Sequence, residues 1–147
     1  METMPKSGVY DKNSLNVFDL IKSFLKLSSN GESGAVLFFI GIARKTGKKE
    51  INVKYIEMES YVEHANNAIL KICEEVKRKY SLNEVYIWHF IGKFEIGEPL
   101  VIVAVSAQHR EEALNGLKEA IERYKREPAL FKKEIYEDMS SLWIEGA

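Results

Sequence analysis

Residues 84–110, EVYIWHFIGKFEIGEPLVIVAVSAQHR, decide the fold. The first eight residues alternate with period two. Val85, Ile87, His89 and Ile91 share one face, and Tyr86, Trp88 and Phe90 share the other, the pattern of a strand. GKFEIGEP at 92–99 is rich in turn formers, and LVIVAVSA at 100–107 is an all-apolar strand, so the two strands read as a hairpin. From Arg110 to Arg126 the period becomes helical, with Ala113, Leu117, Ala120, Ile121 and Tyr124 inward and Pro128 stopping the run. A hairpin with a helix laid on it is the unit of a layered α+β domain.

Working outward, the same unit recurs upstream. Asn13 or Ser14 can cap a helix with Val17, Leu20, Ile21, Phe24 and Leu25 on one stripe, ended by SSNGESG at 28–34. AVLFFIGIA at 35–43 reads as a strand buried on both faces and central in its sheet. It is expected to form a hairpin with INVKYIEMESY at 51–61 across a long basic loop. Val62 to Tyr80 is a helix with Val62, Ala65, Ile69, Ile72, Cys73 and Val76 inward and its basic residues in the last turn, where they suit the helix dipole. ALFKKEIYED and SSLWIEG finish the chain as edge strands. The expectation is one domain over 1–147, with 1–12 a flexible N-terminal segment and a mainly antiparallel sheet flanked by helices.

Composition narrows the function classes. With 147 residues, 46% of them hydrophobic, the chain can build a core without disulfide or metal staples. The longest apolar runs, such as Ala35 to Ile40, are six residues, far short of the ~18 of a membrane span. The start, METMPKSGVYDKNS, has no apolar signal core, which with a single cysteine points to the reducing cytoplasm. Three His and one Cys with no ligand-spaced pair predict no metal, and no glycine-rich phosphate loop is present. The net charge of −1 argues against a nucleic-acid coat. Locally the balance differs: Arg44 to Lys54 holds five basic residues against one acidic, and Arg123, Lys125, Arg126, Lys132 and Lys133 form a second basic set. Brought together, the two would prefer an anion.

Three places could carry chemistry. His109 and Arg110 follow an apolar strand and open a helix, whose free N–H groups and dipole favour phosphate or carboxylate; the plainer alternative is a cap and a solvated arginine. Lys125 and Lys132 bracket Pro128. Two lysines in proximity depress one another's pKa and can move protons or hold an anionic intermediate, although lysines at a helix end also serve the dipole alone. Arg44 follows the first apolar strand and suits an anion binder. His89 reads as a core histidine, His64 as a helix residue without a partner, and Cys73 as inert core.

HFIGKFEIGEPLVIVAVSAQHREEAL, then YKREPALFKKE and LWIEG, together with the upstream GAVLFFIGIARKTGKKEINVKYIEMESY, resemble the large, catalytic subunit family of molybdopterin synthase, from Gly34 to Gly146. The resemblance implies an α/β hammerhead fold and conversion of cyclic pyranopterin monophosphate to molybdopterin by installing a dithiolene. It also implies a small ubiquitin-like partner that brings sulfur as a thiocarboxylate on its Gly-Gly C-terminus, and a heterotetramer built on a dimer of the large subunit. No resident cofactor is then needed. By the same resemblance Arg44, His109 and Arg110 bind the substrate's phosphate and pterin, Lys125 stands at the reacting centre, and Lys132 is a second active-site lysine.

Three departures stand out: His89-Phe90 where the family has His-Arg, Phe131 where it has Trp, and no arginine after the terminal LWIEG segment, which runs to Ala147. Two other function classes fit the residues. A nucleotide- or RNA-binding module would use the 44–54 loop with Tyr55 and Tyr61 for stacking. A non-catalytic dimeric scaffold would share only the fold.

Overall fold

The computed structural model describes residues 4–146; residues 1–3 and Ala147 lie outside the description. The elements are β1 (Gly8–Asp11), α1 (Val17–Leu27), β2 (Ala35–Ile42), β3 (Val53–Ser60), α2 (Val62–Lys79), β4 (Glu84–Glu95), β5 (Pro99–Ala107), α3 (Arg110–Tyr124), β6 (Leu130–Tyr136) and β7 (Ser141–Ile144). They make the α+β architecture read from residues 84–110, with β4 and β5 paired as an antiparallel hairpin.

The strand order is β2-β5-β4-β3-β6-β7, with β1 joined to β4. All pairings are antiparallel except β1 with β4. The 12-residue β4 serves two halves of the sheet: Glu84–His89 pairs with β5, and Gly92–Glu95 pairs with β3. The changeover falls at Gly92, whose φ of +126° is one that residues with a side chain rarely adopt.

Two apolar layers cover the sheet, as the alternation in β4 requires. Val85 and Ile87 join Ala65, Ile69, Ile72 and Val76 of α2 and Ala113, Ala120 and Tyr124 of α3. Trp88, Phe90 and Phe94 lie on the other side with Leu20 and Phe24 of α1, Ile56, Met58 and Tyr136. Trp88 is fully buried, stacks on Tyr86 at 5.2 Å, and donates its indole N–H to the Pro5 carbonyl at 3.0 Å. Cys73 is buried, and desolvation pushes its thiol up to about 11, so it is an unreactive core residue.

Several expectations need correction. β2 is an edge strand, not a central one: it pairs only with β5 and is half-buried along most of its length. β2 and β3 are not a hairpin, because residues 43–52 cross from the half of the sheet built on β5 to the half built on β6. β6 is flanked by β3 and β7, so of the two C-terminal strands β7 alone is an edge. Asn16, not Asn13 or Ser14, caps α1, its side chain accepting from the Asp19 N–H; Asn13 instead takes a turn conformation with φ of 69°.

The flexible segment expected over 1–12 is structured where it is described. β1 runs parallel to β4 from Gly8 opposite Trp88 to Asp11 opposite Ile91. The backbone N–H of Ile87 in β4 donates to the Ser7 hydroxyl at 3.1 Å, and the Val9 N–H donates to Asn66 on α2 at 2.7 Å. The first bond gives a buried donor on the open side of β4 a partner, which a free tail could not do, and the second ties β1 to α2. Ser7→Ala is therefore expected to lower stability by about 1–3 kcal/mol, read as a reduced urea midpoint with an unchanged m-value. An unaltered midpoint would show that the segment does not brace β4.

Candidate active site

β6 carries the centre of the site. Lys132 stands opposite Met58 of β3 and Ile144 of β7 and is half-buried. Burial holds its ammonium pKa below the usual lysine range; Glu134 opposes the shift, and the positive charges of Arg44 and Lys125 add to it. Two cations from separate segments thus act on Lys132 of β6: Arg44 just beyond β2 and Lys125 at the C-terminal cap of α3. Lys125 follows the buried Tyr124, whose ring lies 5.7 Å from His89. Burial, with a smaller contribution from the nearby Lys132 charge and against its hydrogen bond to the Phe90 carbonyl, lowers the His89 pKa to about 4, so this histidine stays neutral in the core.

Glu134 is the residue that the sequence reading missed. It is on the same face of β6 as Lys132, two residues away, and is 5% exposed. Its carboxylate accepts from the Lys48 N–H at 2.9 Å and from the Tyr136 hydroxyl at 2.6 Å. Lys48 belongs to the basic loop after Arg44, so Glu134 both offsets the cations and holds that loop against the sheet. Gly47 allows the approach, since a Cβ there would meet the Glu134 carboxylate oxygens at 2.5 and 2.6 Å. The loop is tied twice more, by Val53 N–H to the Lys45 carbonyl at 2.8 Å and Lys49 Nζ to Ser140 Oγ at 2.8 Å. A period-two reading of FKKEIY places Lys132 and Glu134 on one face, but it cannot show that a loop 86 residues away lands on the carboxylate.

The rest of the second basic set is committed elsewhere. Arg123 pairs with Glu127 at 2.6 Å and with Glu75 of α2 at 2.7 Å. Lys133 faces the other side of β6, over the Trp143 ring at 5.4 Å. Phe131 shares the Lys133 face of β6, opposite to Lys132, and lies edge-on to Tyr61 at 5.4 Å.

His109 and Arg110 do not join Arg44, Lys125 and Lys132 within one chain. β2 and β5 are antiparallel with Ala35 opposite Ala107 and Ile42 opposite Pro99, so His109 leaves one end of the pair and Arg44 the other. The eight steps of β5 between these ends span about 26 Å at ~3.3 Å per residue. The 15-residue α3 gives the same answer, with Arg110 at its start and Lys125 just past its end, about 22 Å apart.

Residues 13–127 match the MoaE protein family. The chain belongs to that family. Among its relatives, the bovine molybdopterin synthase catalytic subunit is 38% identical over 112 residues, covering 75% of this chain and 58% of its own length. The chain thus spans little more than half of that mammalian MoaE-family protein. A molybdopterin synthase structure from Staphylococcus aureus superposes with a TM-score of 0.83 at 30% identity, covering 97% of this chain and 98% of its own. A chain in the complex of subunits 1 and 2 of molybdopterin-converting factor from Helicobacter pylori superposes at 0.75 with 17% identity, covering 94% and 89%, and shares the MoaE fold.

The depressed Lys132 pKa has a testable sign. The unfolded chain holds that proton to higher pH than the folded one, so stability rises as pH climbs from the folded value toward the ordinary lysine value of 10.5. Lys132→Met is expected to flatten this rise in urea unfolding at alkaline pH, and Glu134→Gln to depress the Lys132 pKa further in an NMR titration of its side chain. An unchanged pKa in Glu134→Gln would sever the two groups.

Proposed function

We propose that this chain is the catalytic subunit of a molybdopterin synthase, a sulfurtransferase that converts cyclic pyranopterin monophosphate to molybdopterin. The observation that carries the reading is the grouping of Arg44, Lys125 and Lys132 around one half-buried point in a MoaE-family fold. The names of the relatives support the activity, and the Helicobacter pylori complex supports a small partner subunit.

The chemistry suits the charges. Sulfur enters as the thiocarboxylate on the Gly-Gly terminus of the ubiquitin-like partner and attacks an oxygen-bearing precursor carbon; the C–O bond breaks, its oxygen stays on the phosphate or leaves as water, and an acyl thioester links carrier and pterin, once for each of the two dithiolene sulfurs. Water then adds to the acyl carbon and the C–S bond breaks, returning the carrier as a carboxylate and leaving sulfur on the pterin. The thiocarboxylate, the substrate phosphate and the tetrahedral oxyanion are all negative, and a preorganised cationic site stabilises each. Lys125, at the C-terminal end of α3, stands at the reacting centre. Lys132, its ammonium destabilised by burial, is the lysine suited to proton transfer. No resident cofactor takes part, and Cys73 stays in the core because sulfur never resides on this chain.

The distant His109 and Arg110 serve the same site from a second copy. The apolar β2 edge, open along its length, is the surface for that copy, within a heterotetramer that has one small subunit at each end. The nucleic-acid reading gains no support, because Lys49 of the basic loop is engaged by Ser140 and the Tyr136 ring.

Lys125→Ala is expected to abolish molybdopterin formation from precursor and thiocarboxylated carrier with the fold retained by circular dichroism; near-normal turnover would refute its role. Arg110→Ala is expected to be weak alone. Mixed dimers of Lys125→Ala and Arg110→Ala chains should recover part of the activity, since one of their two sites then has both residues intact. No recovery would place Arg110 outside the shared site.

A further inference from the structure

We propose that His64 is a positioning residue for Lys125, acting through the backbone of Ala129; the inference rests on the catalytic reading of Lys125 above. Lys125 lies on the connection between α3 and β6, and this connection is fastened to α2 at both ends. On the α3 side, Arg123 reaches Glu75 at 2.7 Å. On the β6 side, both polar groups of one peptide residue are taken up. The Ala129 N–H donates to His64 Nδ1 at 3.2 Å, and the Ala129 carbonyl accepts from the Ser60 hydroxyl at 2.9 Å and the Tyr61 N–H at 3.2 Å.

The arrangement has a directional logic. Ser60 and Tyr61 stand just before α2 and His64 lies in its first turn, so the start of one helix holds the peptide that sets where β6 begins. Lys132 follows three residues after Ala129, and Lys125 precedes it by four. A shift of Ala129 therefore changes the spacing of the two lysines, and catalysis is sensitive to such misplacement. His64 can accept this bond only when Nδ1 carries no proton, which puts its proton on Nε2. Its side chain is exposed and touches neither lysine in this role, so its effect passes through the backbone.

The test uses the assembled synthase with thiocarboxylated carrier. His64→Ala replaces an exposed helix residue with the best helix former, so the fold is not at risk. It is expected to lower kcat on the order of three- to tenfold, the scale of one lost hydrogen bond, with KM for the pterin precursor unchanged. His64→Asn, whose side-chain oxygen falls where Nδ1 was, should restore most of kcat, whereas His64→Gln, reaching further, should not. Independently of activity, hydrogen exchange at the Ala129 amide should quicken in His64→Ala and slow again in His64→Asn.

A wild-type kcat in His64→Ala, equal loss in His64→Asn, or unaltered exchange at Ala129 would overturn the proposal. Turnover by Lys125→Ala would instead overturn the reading beneath it, while the exchange measurement would still report on the clamp itself.

Discussion

The bend of β4 at Gly92 is the constraint on which the rest of the structure depends. Up to His89 this strand belongs to β5, and from Gly92 it belongs to β3. Because β3 carries β6, and β6 carries β7, the turn at one glycine sets the position of Lys132 relative to the first half of the sheet. β2 and α3 are anchored to that first half, and from their ends come Arg44 and Lys125. The site is thus assembled at the seam between two sheet halves. Burial of Trp88 and Phe94 on either side of the bend keeps the seam rigid.

Grouping three cations beside a partly desolvated strand is unfavourable in itself, and the fold answers with one buried carboxylate. Glu134 meets the loop after Arg44 and opposes the shift at Lys132. It does not neutralise the set, so the site retains a positive excess without an anion bound. Such a charge set suits an anion, because the protein has already met the cost of gathering the charges. The overall charge of −1 hides this completely, since it averages the pocket with the carboxylates that engage Arg78, Lys79 and Arg123 on the helices.

How much was legible in the sequence follows from the range of each interaction. The β4–β5 hairpin and α3 were readable from residues 84–126 because they rest on local alternation and a proline stop. β2 was misplaced because AVLFFIGI is apolar enough for a central strand, and nothing local distinguishes burial by this chain from burial by another. β1 was missed because a four-residue strand held by Ser7 and Asn66 has no periodicity of its own. In the site, the types of Arg44, Lys125 and Lys132 suggested anion chemistry. Glu134 and His64 act through backbone amides distant in sequence, at Lys48 and Ala129, and no motif announces such a bond.

The central claim is that this chain directs sulfur from a carrier to a pterin without holding it. The most direct measurement follows radiolabelled sulfur, starting on the carrier's terminal thiocarboxylate, through a single turnover by the wild-type protein with cyclic pyranopterin monophosphate. The account predicts that label leaves the carrier and appears in the pterin product, with none attached to this chain. Label that stays on the carrier, or that is found covalently attached to this chain, would contradict it.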